Sequence, residues 1–135
     1  MTEEKKASLH EVSHLLCSAY NQLVESGQVS FALYDTQIEK IDTVVKTVFS
    51  HDYEVDRFPT HEDKAAAFFC LLIKDHPVTD GNKRLATLWF EIYCHTFALV
   101  PFFPPIPLDE LAVSIENEKT IDIYALVVLV RQILF

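Results

Sequence analysis

Residues 74–90, KDHPVTDGNKRLATLWF, set a short polar loop between two apolar stretches. Upstream, 65–73 (AAAFFCLLI) holds no polar residue; downstream, 85–99 is broken only by Thr87, Glu91, His95 and Thr96. Pro77 disfavours the right-handed α region at His76, so the upstream helix is predicted to end near Asp75. Asp80 and Gly81 are turn and cap residues, and the next helix starts there. Runs that are apolar on nearly every face belong in the middle of a bundle. The stretch therefore predicts two central buried helices, about 60–75 and 81–99. A tight loop joins them, with His76 at one end and a helix N-terminus at the other.

The remaining chain fits around that pair. Leu9, Val12, Leu15, Leu16, Ala19, Tyr20, Leu23 and Val24 follow helical spacing, with Gly27 just past their end as a C-terminal cap. Ile38, Ile41, Val44, Val45, Val48 and Phe49 mark a second helix that Asp35 or Thr36 can cap. The prolines of PFFPPIPLDE (101–110) bar a helix at its start, and a short one follows from Leu108. The segment 121–135 is rich in Val and Ile, but apolar residues at 121, 124, 127, 128 and 134 favour helix over strand. QVSFALY (28–34) and DYEVDRF (52–58) alternate and read as extended segments or a small β-hairpin flap. Two glycines are too few for the turns of a sandwich or barrel. The expected class is an all-α compact helical bundle, one domain over 1–135, with no repeat or linker.

Twenty acidic residues against 11 basic ones leave a formal net charge of −9. That balance argues against a nucleic-acid binder, which must neutralise phosphates. Cys17, Cys70 and Cys94 are widely spaced among apolar neighbours and read as reduced core thiols. The first residues, MTEEKKASLHE, are polar and charged, which is unlike a secretory signal. The longest apolar run, 65–73, is far shorter than a membrane span. A cytoplasmic location with no membrane partner is the expectation. His10 and His14 lie four apart on the first helix and read as a solvated face. His95 is expected under apolar cover at the end of the fourth helix.

The loop itself carries chemistry. A helix N-terminus presents unpaired N–H groups and the positive end of the dipole, a combination that binds phosphate. Lys83 and Arg84 in the first turn are unfavourable beside an empty N-terminus and favourable beside an anion. Asn82 can donate a further hydrogen bond. Asp80 offers a hard oxygen suited to a Mg²⁺ that also carries phosphate oxygens. His76 has a side chain suited to general-base work near neutrality. A base, a metal anchor and a phosphate cradle thus fall within nine residues, 76–84.

HPVTDGNKR (76–84) also resembles the signature of the Fic/Doc family, His-x-Phe-x-(Asp/Glu)-Gly-Asn-(Gly/Lys)-Arg. EDKAAAFFCLLIKD before it and LATLWFEIYCHTF after it are similar to the helices that flank the signature in Doc-like members, so the resemblance covers about 60–99. Lys64 matches a lysine common in Doc-like members, and a helix-surface role for it is an equal expectation. It implies a Fic/Doc-type bundle and a transferase that uses ATP and Mg²⁺. His76 would be the base that deprotonates a hydroxyl of a protein substrate. Asp80 would hold Mg²⁺. Gly81, Asn82, Lys83 and Arg84 would bind the nucleotide, with Lys83 and Arg84 completing the catalytic set. Lys83, where Fic members have a second glycine, points to the Doc (death-on-curing) branch. There the nucleotide binds reversed and the γ-phosphate is transferred. The alternatives are transfer of AMP and an inactive binding module. Thr87 stands where the longer Fic signature has a second arginine, and 114–119 (SIENEK) comes nearest to an inhibitory (Ser/Thr)-xxx-Glu-(Gly/Asn) segment but ends in Lys. Control by a separate antitoxin-like protein follows, as in a toxin–antitoxin pair. Val78 replaces the family's Phe, a smaller anchor that is expected to hold the loop less firmly.

Overall fold

The computed structural model describes residues 3–102 and 107–135, with side chains from residue 8 onward. Among them lie six helices, α1 (Glu3–Glu25), α2 (Asp35–Val48), α3 (His61–Lys74), α4 (Asn82–Thr96), α5 (Leu108–Asn117) and α6 (Ile123–Leu134). One antiparallel hairpin, β1 (His51–Asp52) with β2 (Val55–Asp56), joins α2 to α3. The all-α expectation holds. The α6 segment is helical because its apolar residues at 126, 127, 130 and 134 fall on one buried face.

At the centre stands α3. It packs against α2, α4, α5 and α6, and every residue from Lys64 to Ile73 is buried. Phe68 meets the edge of Trp89 at 5.6 Å and lies 5.5 Å from Tyr93, while Phe69 stands edge-on to Phe90 at 5.7 Å. Each such ring contributes about 1.5–3 kcal/mol by leaving water. α4 packs on α1, α3 and α5. It is apolar and buried along Leu85, Ala86, Trp89, Phe90, Tyr93 and Cys94, but Arg84, Glu91 and His95 are exposed. Burial on all faces therefore belongs to α3, while α4 keeps one side open.

Several local expectations change. Tyr34 precedes α2 as its N-cap residue, and its N–H donates to Gln37 Oε1 at 3.4 Å; Asp35 is already helical, so neither it nor Thr36 caps. Segment 28–34 forms no ladder, whereas three of the four paired hairpin residues, Asp52, Val55 and Asp56, lie in the 52–58 stretch. His95 sits at the end of α4 as expected, yet exposed, because α4 turns that side outward. Lys64 is buried, not on the surface: its ammonium donates to the Phe58 carbonyl and lies 3.7 Å from Asp56, fastening the hairpin corner to α3. Cys70 and Cys94 are buried free thiols, and burial pushes them up to about 12 and about 11. His10 and His14 are exposed, and no group of three potential metal ligands occurs among the described residues. No described helix is long and apolar enough to cross a membrane. Residues 103–106 of the proline-rich stretch lie outside the described residues.

Candidate active site

The loop 75–81 is shaped by Pro77 and Gly81. Pro77 removes the right-handed α option from His76, and the backbone there takes φ +48. A left-handed histidine costs about 1–2 kcal/mol, so the surroundings must hold it. Much of the holding comes from Asn82. Its Oδ1 accepts the Val78 N–H at 3.1 Å, its Nδ2 donates to the Val78 carbonyl at 2.9 Å, and the same amide meets His76 Nδ1 at 3.2 Å. Because Oδ1 is committed to a donor, Nδ2 faces the ring as donor and Nδ1 as acceptor. Val78 is 4% exposed. The smaller side chain is therefore a buried anchor, and Asn82 clamps its peptide on both sides.

Gly81 is the N-cap of α4, with φ +86 and no side-chain cap. Its conformation suits glycine, and so does its surroundings: a Cβ there would stand 2.6 Å from Val29 Cγ2. The α4 first turn has no acidic residue. Its leading N–H groups face outward with no acceptor inside the helix.

The segment 28–34, marked in the sequence only by its alternation, forms a strap that closes against this loop. Tyr20, fully buried on α1, donates to the Phe31 carbonyl at 2.8 Å and lies 3.4 Å from the Asp80 carbonyl. Burial, and then the charge of Asp80, push the Tyr20 phenol up, so it stays a donor. Tyr34 Oη and Gln37 Nε2 reach Thr79 Oγ1 at 3.2 and 2.5 Å. Arg84 donates to the Gln28 carbonyl at 2.8 Å. The alternation of 28–34 was visible in the sequence; its partners, 11 to 56 residues away, were not.

Asp80, Gly81, Asn82, Lys83 and Arg84 all line one cleft of about 990 Å³, between the end of α1, the start of α4 and the start of α5. That is the upper end of the range for small-molecule sites, roughly 300–1,000 Å³. Its far wall holds Glu91, Asp109 and Glu110, so phosphates are favoured at the Lys83–Arg84 end. His76 is not on the cleft wall. Its half-exposed ring joins the site through Asn82 on one nitrogen and, 3.8 Å from the other, Glu116. Glu116 also accepts from Lys83 at 2.9 Å. Lys83, with its charge and those of His76 and Lys119, holds the Glu116 carboxyl below the usual range. Sequence reading noticed 114–119 only as an imperfect motif, and nothing local to Glu116 signals that it reaches α4.

Asp80, Gly81, Asn82, Lys83 and Arg84 thus share one cleft while His76 stands beside it, and two of these residues are engaged otherwise than expected. The Asn82 side chain is engaged in holding Val78 and His76, so the donors left free at this helix start are main-chain amides. Lys83 is met by a carboxylate from α5. Asp80 is exposed at the cleft rim, a single carboxylate, which fits a Mg²⁺ carried largely by phosphate oxygens.

No significant match to the chain was found among curated proteins or solved structures. A family model does match: the one described as Fic/DOC family, over residues 8–94, which takes in most of α1, the strap, α2, the hairpin, α3, the loop and most of α4. Members of that family are commonly enzymes that modify proteins with a group taken from a nucleotide. By that match, over well more than half of its length, the chain belongs to the Fic/DOC family.

Proposed function

We propose that the protein transfers the γ-phosphate of ATP to a hydroxyl of a protein substrate, as in the Doc-like branch. The carrying observation is the pairing of an uncapped, glycine-started helix with a histidine fixed beside it by Asn82. The phosphate chain would lie on the first-turn amides of α4, flanked by Lys83 and Arg84. The nucleoside would extend toward the roomier part of the cleft.

In the reaction His76 Nδ1 exchanges the Asn82 amide for the substrate hydroxyl and accepts its proton, and that oxygen attacks the γ-phosphorus. The P–O bond to the β-phosphate breaks, ADP leaves with the electron pair, and His76 returns its proton to solvent. Lys83, Arg84 and the amides stabilise charge on the transferring group. Asp80 would hold Mg²⁺, which neutralises phosphate charge when bound. Lys83 supports phosphate over AMP transfer: its side chain occupies space a glycine would leave open for a diphosphate. Thr87 in place of a second arginine removes a clamp that AMP transfer would use, and a separate antitoxin-like protein is the matching form of control.

The test is incubation with cell lysate and ATP labelled at the γ or the α position. Label from γ alone, abolished by His76→Ala, is the expected result. Label from α would move the assignment to AMP transfer. Absence of any His76-dependent label would leave the inactive binding module, and a cellular phenotype that survives His76→Ala would support it.

A further inference from the structure

Glu116 reaches the loop from outside the motif, and its placement is built in from two directions. Leu111, Ala112 and Ile115 bury one face of α5 against α3 and α4. Lys74, two residues before His76, donates to the main-chain carbonyls of Glu118 and, at 3.4 Å, of Glu116. The last turn of α3 therefore caps the last turn of α5. With the backbone so fixed, one carboxylate oxygen, Oε2, lies 2.9 Å from Lys83 Nζ and 3.8 Å from His76 Nε2.

We propose that Glu116 is a positioning residue that holds the Lys83 ammonium beside His76, and so selects as the reacting group the phosphate that this ammonium neutralises. The proposal rests on the transfer reading above and adds a specificity determinant to it. The Lys83 side chain is 41% exposed on a flexible four-carbon stem, and unheld it would sample many rotamers. An ammonium has three donors; one directed to Glu116 leaves two for a phosphate. Fixing the stem before the nucleotide arrives removes ordering entropy from the binding step and places the cation at the base rather than along the chain.

A cycle of four proteins, wild type, E116Q, K83M and E116Q/K83M, tests this through MgATP binding by calorimetry. K83M is expected to weaken binding about tenfold in the native background and by less than about twofold in the E116Q background, since an unheld Lys83 contributes little. E116Q should lower transfer of γ-label at saturating ATP and weaken MgATP binding by about fivefold or more, since most of the Lys83 contribution goes with it. Additive effects of the two substitutions would overturn the proposal. So would an E116Q protein that binds MgATP more tightly than wild type, because the carboxylate would then only compete with phosphate, and so would a wild type that binds no MgATP. A wild type that binds MgATP but gives no His76-dependent label defeats the transfer reading alone, and the binding cycle still decides the role of Glu116.

Discussion

The N-termini of α3 and α4 solve the same problem in opposite ways. At α3, Thr60 accepts the Asp63 N–H at 3.0 Å, Asp63 accepts the Thr60 N–H at 3.2 Å, and Glu62 and Asp63 put negative charge in the first turn. Every element there lowers the energy of the empty helix. At α4 the cap is a glycine with no side chain to offer, no acid stands in the first turn, and two cations do. The two helices are neighbours in the core, so the contrast does not come from burial. One start is finished by its own residues; the other is left for an anion to finish.

The most severe way to break the open start is to remove its base. His76→Gly should lower transfer by about 10²–10⁴-fold, the usual contribution of a general base. The same substitution should raise stability by about 1 kcal/mol in urea unfolding, because glycine accepts φ +48 without strain. A loss of stability would show that the histidine ring itself holds the loop. Next in size is Gly81→Ala. A Cβ at 2.6 Å from Val29 Cγ2 on a backbone at φ +86 combines overpacking with left-handed strain, together about 2–4 kcal/mol of lost stability. Adding Val29→Ala should return part of that loss, and no recovery would mean that strain alone accounts for it.

Which parts of this contrast the sequence displayed depends on the range of the interaction. Pro77, Asp80 and Gly81 act within a few residues, so the loop, its helices and the open N-terminus were legible from 74–90. In α6 the helix was legible but its inward face was not: of positions 121, 124, 127, 128 and 134, only Val127 and Leu134 are buried, and Leu126 and Val130 complete the face. What was not legible depends on partners brought near only by folding. Lys83 looks unpaired until α5 delivers Glu116 from 33 residues away. Asn82 reads as an oxyanion donor until Val78 and His76 claim its amide. Lys64 reads as a surface residue until the hairpin corner turns the Phe58 carbonyl onto it. Tyr20 reads as core until the strap and Asp80 meet its hydroxyl.

The finished start gives a smaller effect. Thr60→Ala removes a hydrogen bond that satisfies a first-turn donor and should cost about 1 kcal/mol in urea unfolding. It should leave MgATP binding unchanged, because α3 presents that end to the hairpin corner and not to the cleft. A change in nucleotide affinity in Thr60→Ala would mean that the two starts are coupled through the core, and the contrast drawn between them would lose its independence.

The smallest effect concerns the charge that α5 brings to the open start. Lys83 lowers the Glu116 carboxyl in the folded protein, so ionised Glu116 favours the native state. For an acid whose folded value lies below its unfolded one, that stability is present above the unfolded value of about 4.5 and is lost as pH falls through the lowered folded value. Unfolding of wild type and E116Q measured between pH 7 and pH 3 should show a constant offset at the upper end and a vanishing one at the lower. Added salt should shrink the offset at neutral pH, because the pair is partly exposed and screened. An offset that is the same at every pH would mean that Glu116 acts through shape or hydrogen bonding rather than charge. The Lys83 ammonium would then be free to turn toward an incoming phosphate, and the start of α4 would be more open than its resting contacts suggest.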